Sequence, residues 1–127
     1  MAAGRYNFIV EQGAQHEVTF VYKNSEDVPF DLTGKRVRMA VKDHYTAEEF
    51  VYRATSSSAD DTDYAQHFVI ATQADDDLGK FTLTIPSAIT DQFTFNQGVY
   101  DLELVHDTGE VDRIIEGKFK VKPQVTE

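Results

Sequence analysis

Apolar side chains along this chain recur at every second residue, and that period limits what it can fold into more than any other feature. Phe81, Leu83 and Ile85 alternate with Thr82 and Thr84, and Tyr100, Leu102 and Leu104 alternate with Asp101 and Glu103. Val37, Met39 and Val41 alternate in the same way with Arg36, Arg38 and Lys42. Successive side chains of an extended strand point to opposite faces, so each run presents one apolar and one polar face. A segment of this kind must pair with others and turn its apolar face inward. No stretch carries the period of a long helix.

Further strands follow from the same period, separated by turn chemistry. Phe8 and Val10 mark a first strand, Gln12-Gly13 a bend, and Val18, Phe20 and Tyr22 a second strand with Thr19 and Val21 on its outer face. Lys23-Asn24-Ser25-Glu26-Asp27 forms a polar turn cluster, and Pro29 demotes its surroundings to an edge or a connection. Asp31-Leu32-Thr33-Gly34 reads as a turn leading into the Val37 strand. Phe50 to Thr55 and His67 to Thr72 are short strands, the latter with Phe68 and Ile70 on one face. Ser56 to Asp63 between them is an exposed loop, and Gln73 to Gly79 an acidic turn.

Pro86 stops the Phe81 strand, and Ser87 to Phe93 forms at most one helical turn, with Ser87 as its N-cap. Asp107-Thr108-Gly109 supplies hairpin chemistry between the Tyr100 strand and a last strand holding Arg113, Ile115 and Lys118 to Val121. Gly117 within that last arm signals a bulge or a close backbone approach. About seven or eight short strands without a long helix indicate an all-β chain, an antiparallel sandwich or small barrel. No repeat or boundary divides it, so residues 1–127 form one domain with one core.

Composition enters as a set of exclusions. The chain has no cysteine, which removes disulfides, thiolate chemistry and cysteine zinc sites. Its net charge of -10 repels a nucleic-acid backbone, because phosphate affinity comes mainly from Lys and Arg displacing counterions. No apolar run approaches the roughly 18 residues a membrane span needs, and Met1 to Arg5 lacks the basic-then-apolar pattern of a signal peptide. The expectation is synthesis in a cytoplasm, with no membrane and no nucleic-acid partner.

Three segments together carry a family resemblance. They are Tyr6-Asn7-Phe8-Ile9-Val10-Glu11-Gln12-Gly13-Ala14, then Pro29-Phe30-Asp31-Leu32-Thr33-Gly34-Lys35-Arg36-Val37-Arg38-Met39, and last the hairpin of residues 98–121. The hairpin reads Gly98-Val99-Tyr100-Asp101-Leu102-Glu103-Leu104 and, after its turn, Gly109-Glu110-Val111-Asp112-Arg113-Ile114-Ile115-Glu116-Gly117-Lys118-Phe119-Lys120-Val121. The set resembles a family of small tailed-phage virion proteins, with an "EQGA" start, a "DLTG" turn and a terminal hairpin. More loosely it is similar to the immunoglobulin-like N-terminal domain of phage baseplate upper proteins. The likeness spans the chain except about residues 44 to 80. It implies an antiparallel immunoglobulin-like β-sandwich and a virion part, with no catalytic residues carried over.

The expected core is Phe8, Val18, Phe20, Val37, Met39, Val41, Phe81, Leu83, Tyr100, Leu102, Leu104, Ile115 and Phe119. Chemistry has less support. Asp60, Asp61 and Asp63 in one loop and Asp75, Asp76 and Asp77 in another are oxygen donors, but neither has the glycine and distal glutamate of a calcium loop. His16, His44, His67 and His106 are scattered, without zinc-pair spacing, and read as surface residues. No nucleophile elbow or facing carboxylate pair appears, so no enzyme, metal or cofactor is expected. Tyr45, Tyr52 and Tyr64, in or near loops, are the candidates for sugar platforms.

Arg36, Arg38 and Arg53 form the candidate interface, a basic outer patch suited to docking on another acidic subunit. The expected role is a non-enzymatic, multi-copy virion adaptor in the tail or head-tail junction, with other phage structural proteins as partners and a symmetric homo-oligomeric arrangement. Capsid decoration on the head and a carbohydrate-binding module on the particle surface are the alternatives.

Overall fold

The described residues of the computed structural model, 4–23, 26–57, 64–74 and 77–123, contain nine strands and one short helix. The strands are β1 (Gly4–Arg5), β2 (Phe8–Glu11), β3 (His16–Val21), β4 (Arg36–Lys42), β5 (Tyr52–Thr55), β6 (Phe68–Ile70), β7 (Lys80–Ile85), β8 (Gln97–Val105) and β9 (Val111–Lys122), with α1 (Ser87–Thr90) between β7 and β8. The chain is all-β, with two sheets rich in antiparallel pairs. The larger sheet runs β1-β9-β8-β4-β5, with β2 following β1 along the same side of β9. The smaller runs β3-β7-β6.

Alternation sets which sheet face each side chain takes. Val37, Met39 and Val41 of β4, Phe81, Leu83 and Ile85 of β7, and Tyr100, Leu102 and Leu104 of β8 are all buried and belong to one core cluster. Phe8 links the sheets, its ring lying 4.9 Å from that of Tyr100 and 6.1 Å from that of Phe20 on β3. Aromatic edge contacts of this kind add to the area that the rings bury.

Several expectations are corrected. The strand pairing is not wholly antiparallel, because β1 and β2 pair parallel with β9, Gly4 opposite Ile115 and Phe8 opposite Phe119. Period two fixes which side chains face inward but not the direction of the neighbouring strand. Val18 and Phe20 are only half-buried, since β3 is an edge strand of a three-stranded sheet. Ile115 is half-buried as well, and Ile114 takes the inward place: the register slips between Leu102 and Glu103, so that Leu102 faces Ile115 while Glu103 faces Arg113. The bulge lies there rather than at Gly117.

Gly117 instead marks a close approach. A Cβ there would collide with the Tyr6 carbonyl oxygen and lie 2.9 Å from Asn7 Oδ1. The backbone passes so near because Tyr6 N–H donates to Glu116 O (3.1 Å), and Lys118 N–H donates to Asn7 Oδ1 (3.0 Å). The Tyr100 hydroxyl donates to Tyr6 O across the same junction.

The Asp31 to Gly34 turn forms where expected, whereas Asn24, Ser25, residues 58–63, Asp75 and Asp76 of other expected turns and loops lie outside the described residues. In the Asp31 to Gly34 turn, Asp31 Oδ1 accepts from the Thr33 N–H (2.9 Å) and hydroxyl (2.6 Å), and Gly34 takes φ 77°. Those two hydrogen bonds hold the Asp31 carboxyl below its ordinary pKa. In α1, Ser87 is the first helical residue rather than the cap, and Pro86 precedes it with no side-chain cap bond. The helix is fastened from its other end. Buried Thr90 donates its hydroxyl to Ala14 O (2.8 Å) and accepts from Gly13 N–H (3.1 Å), tying α1 to the β2-β3 turn.

Candidate functional site

The outer face of the larger sheet gathers most of the chain's unusual side chains. Arg36 and Arg38 lie two apart on β4, on the face opposite Val37 and Met39, and Arg53 on β5 pairs with Ala40 of that same face. The three arginines therefore share one surface. It is not uniformly basic, because acids from β8 and β9 stand among them. Arg38 Nε lies 2.9 Å from Glu103 Oε1, its partner in register, and Glu103 in turn faces Arg113 of β9. Arg113 Nε is 3.4 Å from Asp101 Oδ2.

Alanine at position 40 makes a hollow in this face. It stands between the long side chains of Arg38 and Lys42, and in register its row reads Arg53, Ala40, Asp101, Glu116 across β5, β4, β8 and β9. The connection from β4 to β5 supplies two walls, Tyr45 and Phe50, and Tyr64 supplies another. Together they bound a groove of about 420 Å³. Tyr45 is 75% exposed and Phe50 41%. Cations lie against Phe50 and Tyr64: Lys42 Nζ is 4.8 Å from the Phe50 ring centre, and the Arg53 guanidinium is 4.5 Å from Phe50 and 5.0 Å from Tyr64. Such contacts attract a cation to a ring face and are worth about 0.5–1 kcal/mol at exposed sites.

The floor is electrostatically loaded. Asp101 and Glu116 face each other directly across β8 and β9, an arrangement that destabilises a sheet when both are ionised. Burial raises the Asp101 pKa, the charges of Glu103 and Glu116 raise it further, and Arg113 and Lys42 oppose the rise.

No family model matches this chain, and no curated protein matches it either. The groove therefore has to be read from its own chemistry.

Other candidates are dispersed. Tyr52 is not a loop platform but a buried β5 residue whose hydroxyl lies 2.6 Å from His67 Nδ1, and burial pushes its pKa well above the ordinary tyrosine range. Of the four histidines only His44 is well exposed, beside Asp43, with Nδ1 2.6 Å from its Oδ1. His67 stacks on Tyr52, His106 Nε2 meets Asp112 Oδ2 at 2.8 Å, and His16 is half-buried with Nε2 unsatisfied. Asp60, Asp61, Asp63, Asp75 and Asp76 lie outside the described residues, as does the segment Gln124 to Glu127. Asp77 is described and pairs with Lys80 at 3.2 Å. Among the described residues no three or more histidines and carboxylates converge on a metal position, and no helix is long and apolar enough to cross a membrane.

Sequence reasoning had Tyr45, Tyr64 and the arginines but missed Ala40, Phe50, Asp101 and Glu116 as parts of one hollow. A short residue flanked by two long basic ones on an outer face is the signal that marks it.

Proposed function

We propose that the two sheets form an immunoglobulin-like sandwich and that the protein is a non-enzymatic structural subunit of a tailed-phage virion, a multi-copy adaptor in the tail or at the head-tail junction. The observation that carries this reading is how the three resembling segments meet. The Tyr6 to Ala14 segment supplies β2, which pairs with β9; β9 pairs with β8; and β8 pairs with β4, the strand that leaves the Asp31 to Gly34 turn. Segments far apart in sequence thus build one continuous sheet, as expected if the shared motifs encode a common scaffold. The stretch without resemblance contributes β5 and β6, on which a single family member would carry its own contacts.

An adaptor works by presenting surface, and the outer face around Arg36, Arg38 and Arg53 is the docking side in this reading. Interfaces favour arginine and aromatic residues at their centres. Partners are other structural proteins of the particle, and copies of this chain are related by its symmetry. Quantitative mass spectrometry of purified heads and tails, separated from one another, tests the assignment. Recovery with tails supports the adaptor; recovery with heads alone at high copy number supports decoration instead, and absence from particles refutes both.

A further inference from the structure

We infer that the groove between Tyr45, Phe50 and the Ala40-Asp101-Glu116 row is a saccharide-binding site that takes a short neutral oligosaccharide. This goes beyond the adaptor reading and applies to the free chain, in which no neighbouring subunit covers the outer face.

Size and shape come first. A hollow of about 420 Å³ falls within the range of small-ligand sites, roughly 300–1,000 Å³. It is open along a sheet face, as a chain of linked rings requires. Its origin is partly local: a long side chain in place of Ala40 would intrude on it.

Wall chemistry comes next. Single exposed apolar residues on a surface need no explanation, but Tyr45 and Phe50 rise together from one connection beside a polar floor. Neither belongs to the core cluster. The exposed Tyr45 ring next to hydrogen-bonding groups matches the two sides of a sugar ring, one made of C–H bonds and the other of hydroxyls, while Phe50, with Lys42 and Arg53 against its ring, serves as a wall.

Floor chemistry decides among ligands. Asp101, Glu103 and Glu116 are acceptors and Lys42 and Arg113 donors within the same groove, and although Glu103 already meets Arg38 and Asp101 meets Arg113, each carboxylate and guanidinium has further hydrogen-bonding capacity. A phosphate or other anion meets three carboxylates there, and a simple cation meets the ammonium and guanidinium. A purely apolar ligand would strip water from these groups and return nothing. Hydroxyl groups donate to carboxylates and accept from Arg and Lys at once, so a neutral polyol satisfies both sets. The opposed Asp101 and Glu116 carboxylates gain most, because hydroxyl donors placed between them relieve their repulsion.

Saturation-transfer NMR on the full chain tests the site, using di- and trisaccharides of glucose, galactose, mannose and N-acetylglucosamine as probes and a lysine-rich peptide as comparator. The expected result is transfer to at least one sugar, weakened at least about tenfold by Tyr45→Ala and by Glu116→Gln. Both substitutions lie outside the core, and Glu116→Gln removes the like charge facing Asp101, so an unfolding midpoint that is not lowered shows that lost binding is not lost folding. No transfer to any sugar at millimolar concentration overturns the inference. So does sugar binding that both variants retain, or a response to the peptide alone. Particle mass spectrometry reads the adaptor proposal independently, so either can fail without the other.

Discussion

Gly117→Ala is the sharpest test of how the amino-terminal strands are held. The added methyl group would occupy the space of the Tyr6 carbonyl oxygen and crowd Asn7 Oδ1, 2.9 Å away, and the Tyr6 carbonyl carbon, 3.0 Å away. Both neighbours are fixed, since Tyr6 O accepts from buried Tyr100, Tyr6 N–H donates to Glu116 O, and Asn7 Oδ1 accepts from Lys118 N–H. Relief requires β1 and β2 to shift away from β9, with those three hydrogen bonds weakened or lost. At about 0.5–1.5 kcal/mol net for each, the expected loss is about 2–4 kcal/mol. For a domain of this size that lowers the melting temperature by on the order of 10 °C. Gly4→Ala is the matched control on the same strand pair, because a Cβ there sits 3.5 Å from Ile114 O, an ordinary contact. Urea titration followed by circular dichroism measures both. A Gly117→Ala protein within about 0.5 kcal/mol of the parent, or a Gly4→Ala protein equally damaged, would refute the close-approach argument.

Two further outcomes follow from the core and from half-buried imidazoles. Leu102 is fully buried at the centre of the larger sheet, so Leu102→Ala should cost roughly 2–5 kcal/mol in a denaturant titration, and a loss below about 1 kcal/mol would mean the core is looser than its burial implies. Burial holds the His16 and His67 pKa values below the ordinary 6.5, so the unfolded chain takes up protons first. Stability is therefore intact above that value, declines as pH falls through it, and levels once the folded imidazoles also protonate. Asp101, with its raised carboxyl pKa, acts with the opposite sign at lower pH, its penalty easing as it protonates. Melting temperatures measured between about pH 8 and pH 5 should fall toward acid, and a flat profile would exclude the two histidines as the cause.

Residues that alternate were legible in the sequence; relations between distant strands were not. Val37, Met39, Val41, Leu83, Leu102 and Leu104 are inward because their strands have one buried face, a property local to each run. Whether Ile114 or Ile115 faces inward depends on a slip opposite Leu102 and Glu103, which no single strand encodes. Phe20 alternates as cleanly as Phe81, yet it sits on an edge strand and keeps part of its ring exposed. The groove has the same difficulty. Tyr45 and Tyr64 stand out as loop aromatics, but Ala40 gains meaning only when register sets it opposite Asp101 and beside Arg53. Tyr52 looked equivalent to its neighbours and is buried, because the strand begins at that residue and turns its ring inward.

The pairing of β1 and β2 with β9 also fixes an order of events during synthesis. Phe8 and Val10 are made 111 residues ahead of their strand partners, Phe119 and Val121. Until β9 has emerged, two of the core's buried side chains have no sheet to join, and the larger sheet lacks one flank. Closure of such long loops is slow compared with hairpin formation. The β8-β9 hairpin should therefore form before the amino-terminal strands dock, and the finished domain should gain or lose its full set of contacts together. A nascent chain arrested before residue 111 would leave Phe8 and Val10 without β9 and remain open to proteases along its amino-terminal segment.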